Sequence, residues 1–206
     1  MKFIAVSQRV DSIHSRKEKR DALDHRLISF LIHAGFVGVP VPNTFGPAAS
    51  ALISSKKKIL EGLLTRISPS ALLLSGGNDI DEVRDRYNTE AILLDYAQDQ
   101  NLPVLGICHG MQMMAVRSGA NLKRVQGHVN SRHGITGKIS REVNSYHEFS
   151  IDECPPGYEV LARSKDGVIK AISHLKLPWE GWMWHPERED EYSIDDVERL
   201  RKLVGE

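Results

Sequence analysis

The chain has 206 residues, of which 41% are hydrophobic and 26% charged, with 27 basic and 27 acidic side chains and no net charge at neutral pH. That composition suits one sizeable globular core and excludes a basic excess for nonspecific nucleic-acid binding. No apolar run approaches the roughly 18 residues of a membrane span, and the short apolar start before Gln8 and Arg9 is not a secretory h-region.

In chain order, short apolar runs alternate with helical patterns. Phe3 to Val6 reads as a strand. Residues 20–35 place Leu23, Leu27, Phe30, Leu31 and Ala34 at helical spacing and stop at Gly35, a good residue just past a helix end. Val37 to Val41 reads as an edge strand, because Pro40 cannot donate to a ladder on both sides. Residues 56–67 read as a helix. Ala71 to Ser75, apolar without alternation, reads as a strand buried on both faces, ending at Gly76-Gly77. A helix follows, with Asn88 or Thr89 as its cap. Then come a strand at Val104 to Ile107 and a helix from about His109 to Ser118. This alternation predicts a parallel sheet covered by helices. Beyond Asn121, strand-like pieces follow one another at 134–140, 142–149, 159–164, 168–174 and 180–185, with a hairpin signal at Asp166-Gly167. Ser193, with Asp196 three residues on, predicts a capped final helix. No repeat, low-complexity tract or linker divides the chain, so residues 1–206 are expected to form one domain.

The chemistry concentrates at Cys108. A strand that stops at a cysteine and turns at once into a helix is an elbow, and Gly106 and Gly110 supply the small neighbours that so tight a turn needs. The pattern is the thiol counterpart of the G-x-S-x-G nucleophile elbow. A helix N-terminus beside the sulfur favours thiolate. A lone cysteine is more often a buried structural residue; the two glycines and the strand-to-helix switch argue for a nucleophile. Cys154 is the only other cysteine. With no export signal, two free thiols in a reducing cytoplasm are expected.

A thiol nucleophile needs a base and the base an orienting group. In "WMWHPE", Pro186 fixes the backbone after His185, so Glu187 can fold back on the imidazole and select its tautomer. Gly76-Gly77, at a strand end, can bring the backbone N–H of Gly77 close to a developing oxyanion, with the N–H of His109 as second donor. His128 and His133 lack metal-site spacing, and no metal or cofactor is expected.

Together "LLLSGGND", "PVLGICHGMQMM" and "WMWHPE" resemble the class I glutamine amidotransferase superfamily, and more narrowly its γ-glutamyl hydrolase branch (peptidase family C26). The resemblance spans nearly the whole chain. It implies a three-layer α/β/α sandwich, flavodoxin-like, with a mainly parallel central sheet and a nucleophile elbow. It implies a triad of Cys108, His185 and Glu187, oxyanion donors at Gly77 and His109, and a glutamyl-binding Gln112. "VNSYHEF" resembles the segment that holds the substrate's α-amino and α-carboxylate groups, which implicates Ser145, Tyr146 and His147. The implied substrate is a small γ-glutamyl compound, cleaved through a thioester.

Two readings of that compound compete. One is glutamine, with ammonia passed to a separate synthase partner. The other is a stand-alone hydrolase of a γ-glutamylated small molecule. "FIAVSQRV" and residues 18–43 resemble the γ-glutamyl-CDP-amidate hydrolases, which release glutamate and cytidine diphosphoramidate for capsular polysaccharide. An anionic leaving group needs cations. Arg9, at the carboxyl end of the first strand, is the expected one, with the basic residues 16–20 in the loop behind it and Arg132 and His133 in another. A scaffold that has lost its activity is a third possibility on such folds, and the intact Cys, His and Glu argue against it.

Overall fold

A computed structural model describes residues 1–44, 53–80 and 82–206. Nine strands form one sheet in the order β4 (Phe36–Val41), β1 (Lys2–Ser7), β5 (Ala71–Leu74), β6 (Val104–Ile107), β13 (Trp179–Trp182), β12 (Ile169–His174), β11 (Tyr158–Ser164), β8 (Val129–Gly137), β9 (Arg141–Tyr146). From β4 to β13 every pairing is parallel; from β13 to β9 every pairing is antiparallel. All strands except β12 and β8 therefore point the same way. The helices α1 (His25–His33), α2 (Ile53–Ile67), α3 (Arg84–Asp99), α4 (His109–Arg117) and α5 (Ile194–Val204) complete a three-layer α/β/α sandwich. No helix among the described residues is long and apolar enough to cross a membrane.

The strands read from the sequence are present. All four residues of β5 are buried, as its unbroken apolar run requires. Pro40 lies on β4 at the sheet edge, where its missing N–H costs no ladder bond. Asp166-Gly167 turns β11 into β12, with Gly167 at φ 85° donating to Ser164 O.

The helix ends differ from expectation. Residues 20–22 belong to a strand, β3 (Glu18–Ala22), paired as a hairpin with β2 (Arg9–Ile13). Asp21 is held out of the helix because its carboxylate accepts from the backbone and side chain of Asn43. Asp24 caps α1 instead, accepting from Arg26 N at 3.0 Å. Helix α3 begins at Arg84, several residues before the expected caps, and Thr89 donates to Asp85 O inside it. That extra turn includes Arg86, a charged residue that is almost wholly buried. Ser193 does stand at the N-terminus of α5, but its hydroxyl serves Arg141 and Asp196 bonds Arg141 and Trp184, so no capping box forms. Strand β7 (Leu122–Arg124), which pairs with β10 (Phe149–Ile151), has no sequence signature.

Two glycines make the sharp turn after β6 feasible. A Cβ on Gly106 would meet the carbonyl carbon of Gly110 at 2.6 Å, and a Cβ on Gly110 would press into the carbonyl oxygen of Leu74 on β5. Backbone cannot yield as a side chain can. Gly110→Ala is therefore expected to destabilise the protein by about 3 kcal/mol, the upper end of the usual cost of overpacking. Gly62→Ala, in the middle of α2 with nothing near the added carbon, is expected to be neutral or to stabilise by up to about 1 kcal/mol. Denaturant midpoints of the two variants check this; equal midpoints would contradict the close approach.

Candidate active site

Four parallel strands, β1, β5, β6 and β13, end side by side, and each delivers a site residue at its carboxyl end. Ser7 ends β1, Ser75 to Gly77 follow β5, Cys108 follows β6 and His185 follows β13. Open α/β sheets bind ligands at this edge. Cys108 sits at φ 52°, ψ −103°, between β6 and α4. Its N–H donates to Trp182 O at 2.7 Å and its carbonyl accepts from Gln112 N at 3.1 Å, so both sides of the strained residue are pinned.

Cys108 and His185 line one cleft, together with Gly77, His109, Gln112, Tyr146 and His147. His185 is buried, and its Nδ1 lies 2.7 Å from Glu187 Oε1. Since a carboxylate accepts, Nδ1 carries a proton and Nε2 is left for the thiol side. Burial opposes a charge on the imidazole, but the Glu187 carboxylate and a thiolate at Cys108 outweigh it and raise its pKa to about 9. The ring is thus poised as an imidazolium that can hand over a proton. The turn Pro186–Arg188 brings Glu187 back to the ring, as the H-P-E pattern predicted. Gly76 makes room for it: a Cβ there would stand 2.7 Å from His185 Cε1. No sequence pattern points to Asn144, whose amide clamps the histidine backbone. It accepts from His185 N at 2.8 Å and donates to His185 O at 2.7 Å.

Gly77 and His109 line the same cleft, and among the described residues neither backbone N–H has an acceptor within the protein. Gln112 lines the cleft and donates to Phe149 O at 2.8 Å.

The segment 145–147 divides. Tyr146 lies at the cleft, edge-on to His185 with centroids 5.7 Å apart. Ser145 does not reach the cleft: its side chain is fully buried and accepts from Lys170 Nζ at 2.9 Å. His147 touches the cleft, but both ring nitrogens are engaged. Nδ1 donates to Phe149 O at 2.9 Å, so Nε2 accepts from Lys170 Nζ at 2.9 Å. Burial, then the Lys170 ammonium, keep this ring neutral by lowering its pKa to about 3. His128 takes the third lysine proton at 3.0 Å through Nδ1, because its Nε2 donates to Asp166. Two of these histidines, His128 and His147, are thus organised around one buried ammonium, and the His133 ring stacks on His128 with centroids 4.1 Å apart.

Beyond His185 and Gly77 lies a second cleft, lined by Arg9, Asp11, Asp24, Gly76, Glu187 and Arg188. Arg9 is where the sequence placed it, but it is paired with Asp11 at 2.9 Å. Arg26 is paired with Asp24 at 2.7 Å. Arg188, which no sequence signal singles out, lines both clefts. Its guanidinium lies over the Tyr146 ring at 4.7 Å. Its Nε is buried with no hydrogen-bond partner among the described residues, the nearest carboxylate oxygen being Glu187 Oε1 at 3.8 Å. Residues 16–20 form the distal part of the β2–β3 hairpin and do not line either cleft. Arg132 is tied to Glu142 and Glu189.

Comparison with known proteins identifies the family and the fold. The family model for glutamine amidotransferase class-I matches residues 48–193. The chain belongs to the class I glutamine amidotransferase family. A γ-glutamyl-CDP-amidate hydrolase of Campylobacter jejuni is 28% identical over 97% of this chain and 96% of its own length. The glutamine-hydrolyzing GMP synthase subunit of Methanocaldococcus jannaschii is 27% identical over 88% of this chain and 92% of its own. A solved chain from Thermoplasma acidophilum, provisionally named as a GMP synthase subunit, superposes with a TM-score of 0.71 at 23% identity, covering 100% of this chain and 93% of that one. The amidotransferase fold is thus shared across the full length.

The His185 pKa carries a sign that can be tested. The folded value, about 9, stands above the ordinary 6.5. The protonated ring therefore contributes stability that is complete below pH 6.5 and lost as pH rises through 9. In Glu187→Gln the ring, followed by NMR, is expected to titrate well below 9. The stability gap between this variant and the parent is expected to be widest below pH 6.5 and to narrow towards pH 9. An unmoved His185 titration in Glu187→Gln would remove the carboxylate as the cause.

Proposed function

We propose that residues 1–206 form a single catalytic domain that hydrolyses a γ-glutamyl amide, with Cys108 as nucleophile, His185 as acid and base, and Glu187 orienting the imidazole. The observation that carries this is the His185–Glu187 pair at 2.7 Å, with His185 lining the same cleft as Cys108. The thiolate attacks the γ-carbonyl carbon, and the carbonyl electrons move to oxygen, facing the N–H groups of Gly77 and His109. The tetrahedral adduct collapses as His185 gives its proton to the departing nitrogen, leaving a γ-glutamyl thioester. Water, deprotonated by His185, attacks the thioester, expels the thiolate and releases glutamate. Gln112 and the Tyr146 ring bound the glutamyl side. His147 contributes its ring surface, and Ser145 acts from behind through Lys170.

The leaving group is best read as cytidine diphosphoramidate, so that the substrate is γ-glutamyl-CDP-amidate, consumed in the cytoplasm on the way to capsular polysaccharide. The near full-length match to the Campylobacter hydrolase favours it. So does Arg188, which lines both clefts and whose Nε has no hydrogen-bond partner among the described residues, with Glu187 no nearer than 3.8 Å, whereas Arg9 is held by Asp11 at 2.9 Å. The second reading, a glutaminase that supplies ammonia to a synthase partner, is favoured by the relatives that are glutamine-hydrolyzing subunits of GMP synthases.

Glutamate release by the purified protein separates the two. The expected result is a kcat/KM for γ-glutamyl-CDP-amidate more than tenfold above that for glutamine, equivalent to over about 1.4 kcal/mol of extra transition-state binding. Cys108→Ala is expected to abolish both activities and Cys154→Ala neither. Arg188→Gln is expected to lower kcat/KM for the nucleotide by about 10- to 100-fold, the worth of a charge-assisted hydrogen bond, and to leave glutamine turnover nearly unchanged. Glutamine as the better substrate, or strong activation by a synthase, would favour the second reading.

A further inference from the structure

The two N–H groups assigned to the oxyanion belong to different elements, one on the loop after β5 and one at the start of α4. A hydrogen bond to a developing charge is worth most when the donors need no rearrangement. Something must therefore hold both in register. One turn of α3 is joined to both.

Arg86 is almost wholly buried, and its guanidinium faces three successive carbonyls of the loop. Nη2 donates to Ser75 O at 2.6 Å, and Nη1 donates to Gly76 O at 3.3 Å and to Gly77 O. In a trans peptide the C=O of one residue and the N–H of the next point in opposite directions. Drawing Gly76 O inward to the buried guanidinium thus turns Gly77 N–H outward, to the cleft. Three carbonyls on one side of a short loop also demand the left-handed backbone at Gly77, φ 90°, which its glycine permits.

The second donor is tied to the same helix. Glu90, one turn after Arg86, accepts from Arg86 Nε at 3.0 Å and Ser7 Oγ at 2.7 Å on one oxygen. Its other oxygen lies 2.7 Å from His109 Nε2. His109 Nδ1 lies 2.9 Å from Asn78 O, in the loop itself. Both partners of the ring accept, so both ring nitrogens donate. Burial opposes the charge on Glu90, but His109 and Arg86 outweigh it and bring its pKa down to about 2. The carboxylate is a fixed anion held between Arg86 and His109, and Ser7 closes the circuit by accepting from Ser75 N at 3.0 Å.

We propose that Arg86 and Glu90 are positioning residues that preorganise the oxyanion hole, Arg86 by setting the Gly76–Gly77 peptide plane and Glu90 by fixing His109 against it. The inference rests on the γ-glutamyl hydrolase reading for its kinetic consequence and on the loop geometry for its structural one.

The test compares Arg86→Lys with the parent. Lysine keeps the charge beside Glu90 but cannot fork to three carbonyls. Because a buried partner is lost, the double variant Arg86→Met/Glu90→Gln, which removes both charges, is made alongside in case the single one folds poorly. Turnover is followed with glutamine and γ-glutamyl p-nitroanilide, and the accessible thiolate with iodoacetamide. Alkylation is a displacement at a saturated carbon and needs no oxyanion hole. The expected result is a kcat lower by about 100-fold, as for loss of one oxyanion donor, with KM and the alkylation rate of Cys108 little changed. A parallel loss of alkylation would mean a collapsed site and overturn the assignment, as would full kcat in a folded variant. The crystal structure of Arg86→Lys is the second measurement: a turned Gly76–Gly77 peptide is expected, and an unmoved one overturns the role whatever the substrate. If the parent itself cleaves no γ-glutamyl compound, the functional reading falls and the peptide plane alone decides the inference.

Discussion

The packing of α4 against β5 leaves no room for a side chain. At Gly110 the helix backbone lies so near the Leu74 carbonyl that even a methyl group would not fit between them. The chain leaving β6 must therefore enter the helix within one residue, and that residue is Cys108, at a positive φ that costs a non-glycine residue on the order of 1–3 kcal/mol. The strain persists because Trp182 O on β13 and Gln112 N on α4 hold the cysteine backbone from both ends. Parallel pairing then does the rest. Strands β5, β6 and β13 share a register in which Leu74, Gly106 and Gly181 lie abreast. Their carboxyl ends rise together and their loops meet over the sulfur. A thiol, an imidazole and a pair of free N–H groups from distant parts of the chain come together as a consequence of sheet register.

Legibility in the sequence follows from how local each cause is. The elbow and the H-P-E turn are set within a few residues, so Gly106, Cys108, Gly110, His185 and Glu187 can be read directly. The buried strands declare themselves by unbroken apolar runs, and the edge strand by Pro40. The departures share a different cause. Helix α3 starts earlier than its sequence suggests because Arg84, Asp85 and Arg86 have the composition of a solvated charged stretch, whereas Arg86 is almost wholly buried. Asn144 looks like an ordinary strand residue until β9 places it beside the His185 backbone. The β2–β3 hairpin is hidden because neither strand has a buried face to impose a two-residue period; apart from Val10 its residues are exposed or half-buried. Arg9 is legible from its place at a strand end, but its pairing with Asp11 lies within that hairpin, which the sequence does not announce.

Charge in this protein is arranged by depth, which net charge cannot reveal. The surface pairs are mostly exposed, as between Arg124 and Glu148 or Lys138 and Glu159, and such pairs contribute little to stability. The charges hardest to desolvate lie under the cleft. Lys170 is fully buried, and desolvation lowers its pKa to about 8. It nevertheless keeps its proton near neutral pH because His128, Ser145 and His147 each accept one of its three N–H bonds. Glu90 is fully buried yet ionised, because Arg86 and His109 flank it. The charged side chains at the centre of each cluster bond to neighbours and not to the cleft. Removing any single member would leave a buried partner unsatisfied, which is why such networks fix one geometry. His185 differs from these groups: it is a buried ring held on one side by Glu187, with its Nε2 left for the thiol side. Around that ring the geometry is held still by charges placed where water cannot relax them.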